Sequence, residues 1–435
     1  MNILLIGSGA REHAIAIKLK ENKATKLFCF ATNNNPGILA LAEDLIIGDV
    51  IDVPAIINYA KKIKAELAWI GPEAPLSVGI VDALAEINIP SVGPIKKLAD
   101  LEISKTFTRN LLKEYNIPGN PSCQTFFSVD GLEKYCQSLE KIVIKPDGLT
   151  GGKGVLVQDD HFQTISEGID LAKKYLTKDG KVLIEEKLIG QEFSLMSFCD
   201  GEHLAHMPAV QDHKRAFVDD KGPNTGGMGS YACADFSLPF LTANDIAEAK
   251  NINEQTLKAL KKKFNTGYKG IMYGGFITTK NGVKLIEYNA RFGDPECMNV
   301  LLTLKTDLTE ISQAIVNGTL DKINVEFESL ATVCKYVVPE GYPTKPVKNV
   351  EVDVSAVNQN KVKLFYASID EKDGQLLLKG SRAIGVVAKA TTLDEAEKLV
   401  QQEIAKIKGP IFYREDIGTK RLIDKRVQMM EEIRK

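Results

Sequence analysis

The stretch from Ile142 to Val155 most constrains the fold of this chain. It reads as a short apolar strand ending at Lys145, a loop containing four glycines, and a second strand at 155–157. Glycines let backbone amides approach an anion closely, and lysines add charges suited to phosphates. A Walker A loop would need Ser or Thr after its lysine and then a helix. Here a glycine and a strand follow Lys153, so a nucleotide would be clamped between sheets. An ordinary glycine-rich turn is the alternative.

Length and composition exclude several classes of protein. A chain of 435 residues exceeds one hydrophobic core, so several domains are expected. The net charge of −2 and the lack of a basic block argue against nucleic-acid binding. No apolar run reaches the roughly 18 residues of a membrane-spanning helix. Seven scattered cysteines without a CxxC pair indicate reduced thiols in a cytoplasmic protein, without a zinc or iron–sulfur site.

Residues 1–102 are predicted to form a doubly wound α/β domain. Apolar strands near 2–6, 26–31, 66–70 and 89–92 alternate with helices. Ligands of such sheets lie at the carboxyl ends of the strands. The first loop lacks the third glycine of a dinucleotide fingerprint, and the second strand lacks the acid that would bind a ribose, which disfavours NAD. We expect a single phosphate on this loop and the helix N-terminus, with Arg11 assisting. A bare sheet-to-helix turn is the alternative.

The next region is predicted to carry a lid. A helix at 103–115 has Lys105 in its first turn, and a small α+β unit covers 121–187. A new strand then begins at Glu192 after an apolar linker. Two acids that flank an apolar hinge suit an adenine slot, in which the hinge backbone reads the base and a carboxylate binds the ribose. A charged strand end is the alternative.

Three later stretches carry polar chemistry. Asp212 precedes His213, for which a structural role is expected, and a glycine-rich loop at 222–229 could wrap a small polar ligand or be a disordered surface loop. The strand 283–287 places Glu287 and Asn289 on one face, a hard oxygen site suited to Mg²⁺. Arg291 follows, suited to a carboxylate or a developing phosphoryl charge. An edge-strand salt bridge is the alternative.

Residues 326–435 are predicted to form a third compact α+β unit. An Asp373-Gly374 turn marks a hairpin between 361–369 and the run that begins at 376. A stripe of apolar residues at helical spacing over 393–407 is expected to pack on this sheet.

In this order, the motifs resemble one family, the phosphoribosylamine–glycine ligases of the ATP-grasp superfamily. The resemblance rests on NILLIGSGAREHA at 2–14, GPEAPL at 71–76, SKTFTRNLL at 104–112, IKPDGLTGGKGV at 144–155, QDHKR at 211–215, GPNTGGMG at 222–229, NARFGDPE at 289–296 and EDIGTKR at 415–421. It spans essentially the whole chain. It implies a multidomain α/β and α+β protein with an ATP-grasp fold. The N-terminal domain is a doubly wound parallel sheet and the C-terminal domain a small mixed sheet. The central ATP-grasp domain comprises 103–120 and 188–325, and the lid comprises 121–187.

The resemblance implies a reaction in which ATP, glycine and 5-phosphoribosylamine give glycinamide ribonucleotide, ADP and phosphate through glycyl phosphate, in de novo purine biosynthesis. ATP and Mg²⁺ (or Mn²⁺) would be required, with Glu287 and Asn289 as the metal ligands. Arg291, Lys145 and Asp212 would be catalytic. The nucleotide would contact Lys105, Lys145, Gly148, Gly151, Gly152, Lys153, Gly154, Glu185, Glu186, Leu188 and Glu192.

The substrates would contact the N-terminal loop, the 212–227 region and the turn after the metal strand. The expected residues are Gly7, Ser8, Gly9, Arg11, Glu12, Glu73, Asp212, Lys214, Pro223, Asn224, Thr225, Gly226, Gly227, Arg291 and Asp294. No nucleic acid or membrane partner is expected, and the chain would be a monomer or weak homodimer. A carboxylase using bicarbonate and a nucleotide-binding regulator without turnover are the rival interpretations.

Overall fold

The computed structural model describes residues 1–149 and 154–435. The N-terminal region is a five-stranded, all-parallel sheet. In spatial order its strands are Asp44–Ile47, Lys26–Ala31, Asn2–Ile6, Leu67–Ile70 and Ser91–Val92. The helices between them are Ala10–Lys20, Pro36–Leu39, Val53–Lys62, Glu73–Ser77 and Ile80–Glu86. The predicted doubly wound domain is confirmed.

Two details of this domain differ from the prediction. The sequence pattern missed the strand Asp44–Ile47, a half-buried edge strand whose apolar run is short. The strands Leu67–Ile70 and Ser91–Val92 are also joined by two helices, where the sequence pattern predicts one near 76–87, because Gly79 lies between them with φ +83°, a left-handed conformation that interrupts a helix.

Two helices lead from this domain into the centre of the molecule. The helix Lys96–Ile103 ends at Ser104, and the helix Lys105–Glu114 begins directly after it. The Ser104 hydroxyl accepts a hydrogen bond from the Phe107 amide at 3.1 Å, which caps the second helix. This cap fixes the position of Lys105 in the first helical turn.

The lid region is a four-stranded antiparallel sheet with a hydrophobic core of its own. In spatial order its strands are Cys123–Phe126, Val182–Glu186, Ile142–Lys145 and Leu156–Val157, and its helices are Leu132–Gln137 and Ile165–Asp179. Val143 pairs with Val157 and Ile144 with Leu156, so the predicted hairpin is confirmed. The tip residues 150–153 lie outside the described residues.

The central sheet is antiparallel and carries the predicted metal strand at its edge. Its strands are Leu204–His206, Gln191–Asp200, Lys269–Thr279 and Gly282–Asn289. The helices of this region are Ala243–Phe264, Glu296–Thr303 and Leu308–Asn317, with a 3₁₀ turn at Leu320–Lys322. No helix in the two described ranges is long and apolar enough to cross a membrane.

A further sheet, which we call the C-terminal sheet, combines segments from two predicted units. Its strands are Gln211–Asp212, Gly229–Ala232, Ala331–Pro339, Ile384–Ala390 and Lys363–Tyr366, with Ile411–Phe412 pairing the end of Ala331–Pro339. The first two strands precede residue 326, so the polar stretch at 211–232 is built onto the C-terminal sheet. The helix Leu393–Ile404 packs on this sheet as predicted, and Lys420–Arg434 ends the chain.

Two short ribbons complete the fold. Arg215–Phe217 pairs with Lys221–Asn224 across a 3₁₀ turn at Val218–Asp220. Ile369–Lys372 pairs with Gln375–Leu378 around the predicted Asp373-Gly374 turn. The hairpin is therefore shorter than expected, because Lys363–Tyr366 pairs with Ile384–Ala390 instead.

Candidate active site

A groove beside the central sheet gathers five of the predicted site residues, Lys105, Glu192, Asp212, Lys214 and Glu287. One cavity, of about 360 Å³, is lined by Glu192, Phe193, Ser194, Asp212, Lys214, Tyr273, Gly275, Phe276, Ile286, Glu287 and Glu296. A second, of about 260 Å³, is lined by Leu101, Glu102, Lys105, Thr108, Arg109, Ile286, Glu287 and Tyr288. Both contain Glu287, so this carboxylate lies where the two cavities meet.

Three charged side chains of the lid and the capped helix form a buried ion cluster. Glu185 accepts hydrogen bonds from Arg109 Nε at 2.5 Å and from Arg109 Nη2 at 3.1 Å, and it pairs with Lys145 Nζ at 2.7 Å. Burial opposes the charge of Glu185, but Arg109 and Lys145 hold its pKa below the usual range. Burial lowers the pKa of Lys145, against the opposing effect of Glu185. We call Lys105, Arg109, Lys145 and Glu185 the cationic cluster, since three of its four members are cations.

The cationic cluster is joined to the base of the lid hairpin. Lys105 Nζ donates to the carbonyl of Gly148 at 3.1 Å. Asp147 accepts from the Ser104 hydroxyl at 2.9 Å and from the Thr106 amide at 3.1 Å, and it pairs with Lys181 at 2.6 Å. The hairpin base is thus held at a helix N-terminus, where a carboxylate is favourable. Gly154 accepts from the Tyr175 hydroxyl at 2.9 Å, while Gly151, Gly152 and Lys153 lie outside the described residues.

Glu185, which was predicted to flank the adenine hinge, lies inside the central lid strand, where it pairs with Cys123 on one side and Val143 on the other. The strand ends at Glu186, so the linker begins at Lys187. A contact between Glu185 and the nucleotide stays a prediction. Glu186 is half-buried and accepts from the Ser122 amide at 2.7 Å, and Leu188 lies in the linker itself.

On the far side of the linker, Glu192 opens onto the larger cavity. Its side chain is 57% exposed and lies 3.6 Å from Lys214 Nζ. Glu192, together with Glu287, Asp212 and Glu296, raises the pKa of Lys214 against the effect of burial. Lys214 therefore projects toward four carboxylates from different parts of the chain.

Glu287 and Asn289 end the strand Gly282–Asn289, as the alternation predicted. Burial opposes the charge of Glu287, but Lys214, Lys145, Lys105 and Arg291 hold its pKa below the usual range. Within the described residues, neither side chain donates or accepts a hydrogen bond. An ionised carboxylate and an uncommitted amide oxygen fit a hard divalent cation such as Mg²⁺.

Arg291 joins the metal strand to the N-terminal region. Its Nε lies 3.2 Å from Glu73 Oε2, and its Nη2 lies 3.1 Å from Glu102 Oε1. Burial opposes its charge, but Glu102 and Glu73 raise its pKa above the usual value. Glu102 also accepts from the Ala290 amide at 2.7 Å. The guanidinium is therefore already paired with two carboxylates, beyond what the sequence predicted.

The N-terminal loop has some of its donors committed. The Gly7 amide donates to the Phe30 carbonyl at 2.9 Å, and the Gly9 amide donates to Glu12 Oε2 at 2.6 Å. Arg11 Nε donates to Glu12 Oε1 at 2.6 Å, and the Ser8 hydroxyl bonds the side chain of Asn33 at 2.6 Å. These two glycine amides are thus engaged inside the protein, which leaves the amides of Ser8 and of the first helical turn to face an anion.

Asp212 and Glu296, both lining the larger cavity, form what we call the acidic pair. Glu296 accepts from the Tyr273 hydroxyl at 2.6 Å, and Asp212 accepts from the His213 amide at 2.6 Å. Burial and the charge of Glu296 raise the pKa of Asp212 well above its usual value. The neighbouring His213 is buried, and burial lowers its pKa to about 3. His213 is therefore neutral at physiological pH, in keeping with the predicted structural role.

The glycine-rich loop lies directly over the acidic pair. The Thr225 amide and hydroxyl donate to the Lys214 carbonyl at 2.7 and 2.9 Å, and the Gly227 amide donates to the Thr225 hydroxyl at 3.0 Å. Pro223 and Asn224 lie on the preceding ribbon, where Pro223 is exposed. Asp294 accepts from the Tyr336 hydroxyl at 2.6 Å and lies 3.1 Å from Arg382 Nη1.

Several site residues carried no signal strong enough to find them. Glu102 lies on a helix whose polar residues look like ordinary solvent-facing positions, and Arg109, although it lies within the quoted SKTFTRNLL motif, has the same appearance. Tyr273 lies in an apolar strand, and Arg382 lies far along the chain from every predicted site residue. Glu296 is different, because it closes the quoted NARFGDPE motif and could have been selected for its chemistry.

Comparisons with known proteins cover the whole chain. Family models for phosphoribosylglycinamide synthetase match residues 1–102 (N domain), 103–297 (ATP-grasp (A) domain) and 332–420 (C domain). The phosphoribosylamine–glycine ligase of Methanococcus vannielii is 48% identical over 446 residues, covering 100% of both chains. That of Methanocaldococcus jannaschii is 49% identical over 445 residues, again covering 100% of both.

Solved structures agree with these matches. The crystal structure of the phosphoribosylamine–glycine ligase of Thermotoga maritima has a TM-score of 0.80 at 27% identity, covering 96% of this chain and 100% of that one. A biotin carboxylase domain from Hydrogenobacter thermophilus, at 14% identity, has a TM-score of 0.71 over 99% of this chain and 93% of its own. The second likeness concerns the fold alone.

Proposed function

This chain belongs to the phosphoribosylamine–glycine ligase family, and from that premise we propose that it joins glycine to 5-phosphoribosylamine using ATP. The products are glycinamide ribonucleotide, ADP and phosphate, in de novo purine biosynthesis. One observation carries the proposal: Lys105 and Arg109 of the cationic cluster line one cavity, the acidic pair lines the other, and Glu287 lines both. Such a groove suits a polyphosphate at one end and an ammonium group at the other.

ATP is proposed to lie between the lid and the central sheet. Lys105 and Lys145 bind its phosphates, and the loop 148–154 covers them and excludes water, a gating role. The linker at Glu186 and Leu188 contacts the adenine, and Glu192 takes the ribose hydroxyls. Glu185 acts indirectly, because its carboxylate holds Lys145 and Arg109 in place.

Glu287 and Asn289 would hold the divalent cation, Mg²⁺ or Mn²⁺. When bound, such an ion neutralises negative charge on phosphate oxygens. Glu287 is suited to this role because four nearby cations favour its ionised form. Arg291 is kept in one orientation by Glu73 and Glu102, so its guanidinium is preorganised toward the transferring phosphoryl group.

Glycine is proposed to bind with its ammonium at the acidic pair. Two carboxylates and no histidine cation face that position, and the loop at Thr225–Gly227 covers it. The carboxylate of glycine then points along the groove toward the phosphates. One of its oxygens attacks the γ-phosphorus, the bond to the ADP oxygen breaks, and glycyl phosphate forms. Positioning and charge neutralisation supply the catalysis, so no protein nucleophile is required.

Phosphoribosylamine is proposed to bind at the N-terminal loop. The amides of Ser8 and of the first turn of Ala10–Lys20 face its phosphate, and Arg11 lies beside them. Its amine nitrogen attacks the carbonyl carbon of glycyl phosphate, the carbon–oxygen bond to phosphate breaks, and the nitrogen loses a proton. Asp294 and Lys214 lie at the border between the two substrate positions.

A coupled assay of ADP release tests this function. The wild-type chain is supplied with ATP, Mg²⁺ and phosphoribosylamine, first without glycine and then with it. ADP formation that requires glycine, with glycinamide ribonucleotide detected as product, is the expected result. Bicarbonate in place of glycine is the second arm, and ADP formation there would indicate a carboxylase. ATP binding without turnover in either arm would indicate a regulatory protein.

Domain division, assembly and location belong to the same proposal. We assign 1–102 to the substrate phosphate, 103–120 with 188–325 to the ATP-grasp centre, 121–187 to the lid and 326–435 to the C-terminal unit. A cytoplasmic monomer or weak homodimer is expected, without a nucleic-acid partner. Size-exclusion chromatography with light scattering over a range of protein concentrations measures the assembly state.

A further inference from the structure

Arg382 reaches the active-site groove from the C-terminal part of the chain. Its backbone carbonyl accepts from the Ser368 amide at 2.9 Å, and it lies just before the strand Ile384–Ala390. The neighbouring Ala383 amide donates to the Val337 carbonyl at 2.9 Å. The base of this side chain is therefore fixed to the C-terminal sheet on both sides.

One nitrogen of Arg382 joins two separate loops of the site. Nη1 donates to the carbonyls of Gly226 at 2.8 Å, Gly227 at 3.1 Å and Asp294 at 2.9 Å, and it pairs with Asp294 Oδ1 at 3.1 Å. The guanidinium also lies 4.6 Å from the ring centroid of Tyr336, whose hydroxyl donates to the same Asp294 oxygen. Asp294 and Tyr336 raise the pKa of Arg382 against the effect of burial, so it stays charged.

Each of the two loops held by Arg382 packs against a carboxylate of the acidic pair. A Cβ placed on Gly227 would lie 2.7 Å from Asp212 Oδ1 and 2.6 Å from Pro295 Cδ. Gly227 thus fits between the Asp212 carboxylate and the turn that leads into Glu296. A Cβ placed on Gly293 would lie 2.4 Å from Glu296 Oε2, so this turn also packs closely on the second carboxylate. Both loops therefore pack directly against the carboxylates of the acidic pair.

We propose that Arg382 is a positioning residue for glycine, which locks the Gly226–Gly227 loop onto the Asp294 turn and so keeps Asp212 and Glu296 at a fixed separation. The inference rests on the proposed function, in which the acidic pair binds the ammonium of glycine. It makes the C-terminal region part of the glycine site, although that region supplies no group that touches the amino acid. Arginine is required because a planar guanidinium can both stack on Tyr336 and donate to carbonyls, whereas an ammonium group stacks less well.

Steady-state kinetics of Arg382→Met, Arg382→Lys and Tyr336→Phe test the proposal. We expect the KM for glycine to rise about tenfold in Arg382→Met, which corresponds to about 1.4 kcal/mol, the scale of one charged hydrogen bond. Arg382→Lys should recover part of the loss, and Tyr336→Phe should show a smaller rise. The KM for ATP should stay within about twofold of wild type, since the nucleotide site lies on the other side of Glu287. Lys389→Met is the matched control, because Lys389 lies on the next strand, pairs with Glu328 and should leave every constant unchanged.

The outcomes are separable. A wild-type chain without glycine-dependent ADP formation would contradict the proposed function itself. An active wild type whose KM for glycine is unchanged in Arg382→Met would overturn the positioning role. An equal rise in the KM values for glycine and ATP, or a lower thermal unfolding midpoint with unchanged KM values, would show a general structural role and would overturn it as well. If Arg382→Met does not fold, the Lys and Phe variants decide the question by the same criteria.

Discussion

Glu185 in the cationic cluster is buried and Asp212 in the acidic pair is half-buried, and the surroundings of these two carboxylates are opposite. Two cations lie within 3.1 Å of Glu185 and hold its pKa low, whereas burial and a second carboxylate raise the pKa of Asp212. In the first setting, the carboxylate is already paired with two cations before ATP arrives. In the second setting, the charge of Glu296 raises the pKa of Asp212 although Lys214 and Arg382 act in the opposite direction, so a bound ammonium group would be favourable. A carboxylate therefore stabilises the fold in the cationic cluster, whereas in the acidic pair it is suited to ligand binding.

The largest effect is expected from Lys145→Met, which removes a cation from the proposed phosphate site. A charge pair at about 4 Å is worth about 4 kcal/mol at an effective dielectric of 20, so kcat/KM for ATP should fall roughly a thousandfold. ADP release measures it. Lys141→Met is the control, since Lys141 directly precedes the same strand but pairs with Asp159 at the surface. Activity of Lys145→Met within a few-fold of wild type would remove the cationic cluster from the catalytic account.

Glu185→Gln should disturb the fold rather than ligand binding alone. It leaves Arg109 and Lys145 buried without their carboxylate, and losing one partner of a buried pair costs about 3 kcal/mol or more. Urea unfolding measures the loss. Glu133→Gln, on an exposed helical position that bonds only Gln137, should leave the free energy of unfolding unchanged. Equal stability of Glu185→Gln and wild type would mean that the pair is not structural.

Asp212→Asn should reduce glycine use without reducing ATP binding. Asparagine still accepts the hydrogen bond from the His213 amide but carries no charge for an ammonium group. A lost charge-assisted hydrogen bond corresponds to roughly a hundredfold fall in kcat/KM for glycine. Steady-state kinetics with glycine varied, beside calorimetric titration with ATP, separates the two ligands. A parallel loss of ATP binding would place Asp212 on the nucleotide side instead.

The smallest expected effect is a shift in a pH profile. Because the pKa of Asp212 is raised, its protonation should lower kcat/KM for glycine at a higher pH than the pH at which an ordinary carboxyl group titrates. Glu296→Gln removes the neighbouring charge that helps to raise this pKa, so the acid limb should move to lower pH. An acid limb that does not move would show that Glu296 has no electrostatic influence on Asp212.

Sequence reasoning reached the fold and most of the groove because those features depend on local pattern. Buried parallel strands, the 142–157 hairpin and the alternation of Glu287 with Asn289 follow from periodicity within a few residues. Other contacts join residues more than 150 positions apart and leave no periodic signal in the sequence. These are the ion pairs of Arg291 and the hydrogen bonds from Arg382 to Gly226 and Gly227. The pairing of Gln211–Asp212 with the C-terminal sheet could not be predicted for the same reason.

The boundary of the adenine hinge shows a different limit. The sequence showed only that Glu185 flanks the linker, whereas the structure pairs it with Cys123 and Val143, and a shift of one residue turns a side chain to the opposite face of a sheet. Sequence alone fixes strand ends only to within a few residues. The chemical role of a residue at a strand end therefore depends on its cross-strand neighbours.

Equilibrium urea unfolding of Glu185→Gln and Asp212→Asn at pH 7, each against wild type, tests the contrast between the two carboxylates most directly. A lowered pKa means that the ionised group stabilises the fold above its unfolded-state pKa, so Glu185→Gln should lower the free energy of unfolding. A raised pKa means that stability is lost as pH rises through the folded-state pKa, so Asp212→Asn should raise it. Changes of opposite sign are predicted. A loss of stability in both variants would contradict the account of the acidic pair as a site that carries excess charge until an ammonium group binds.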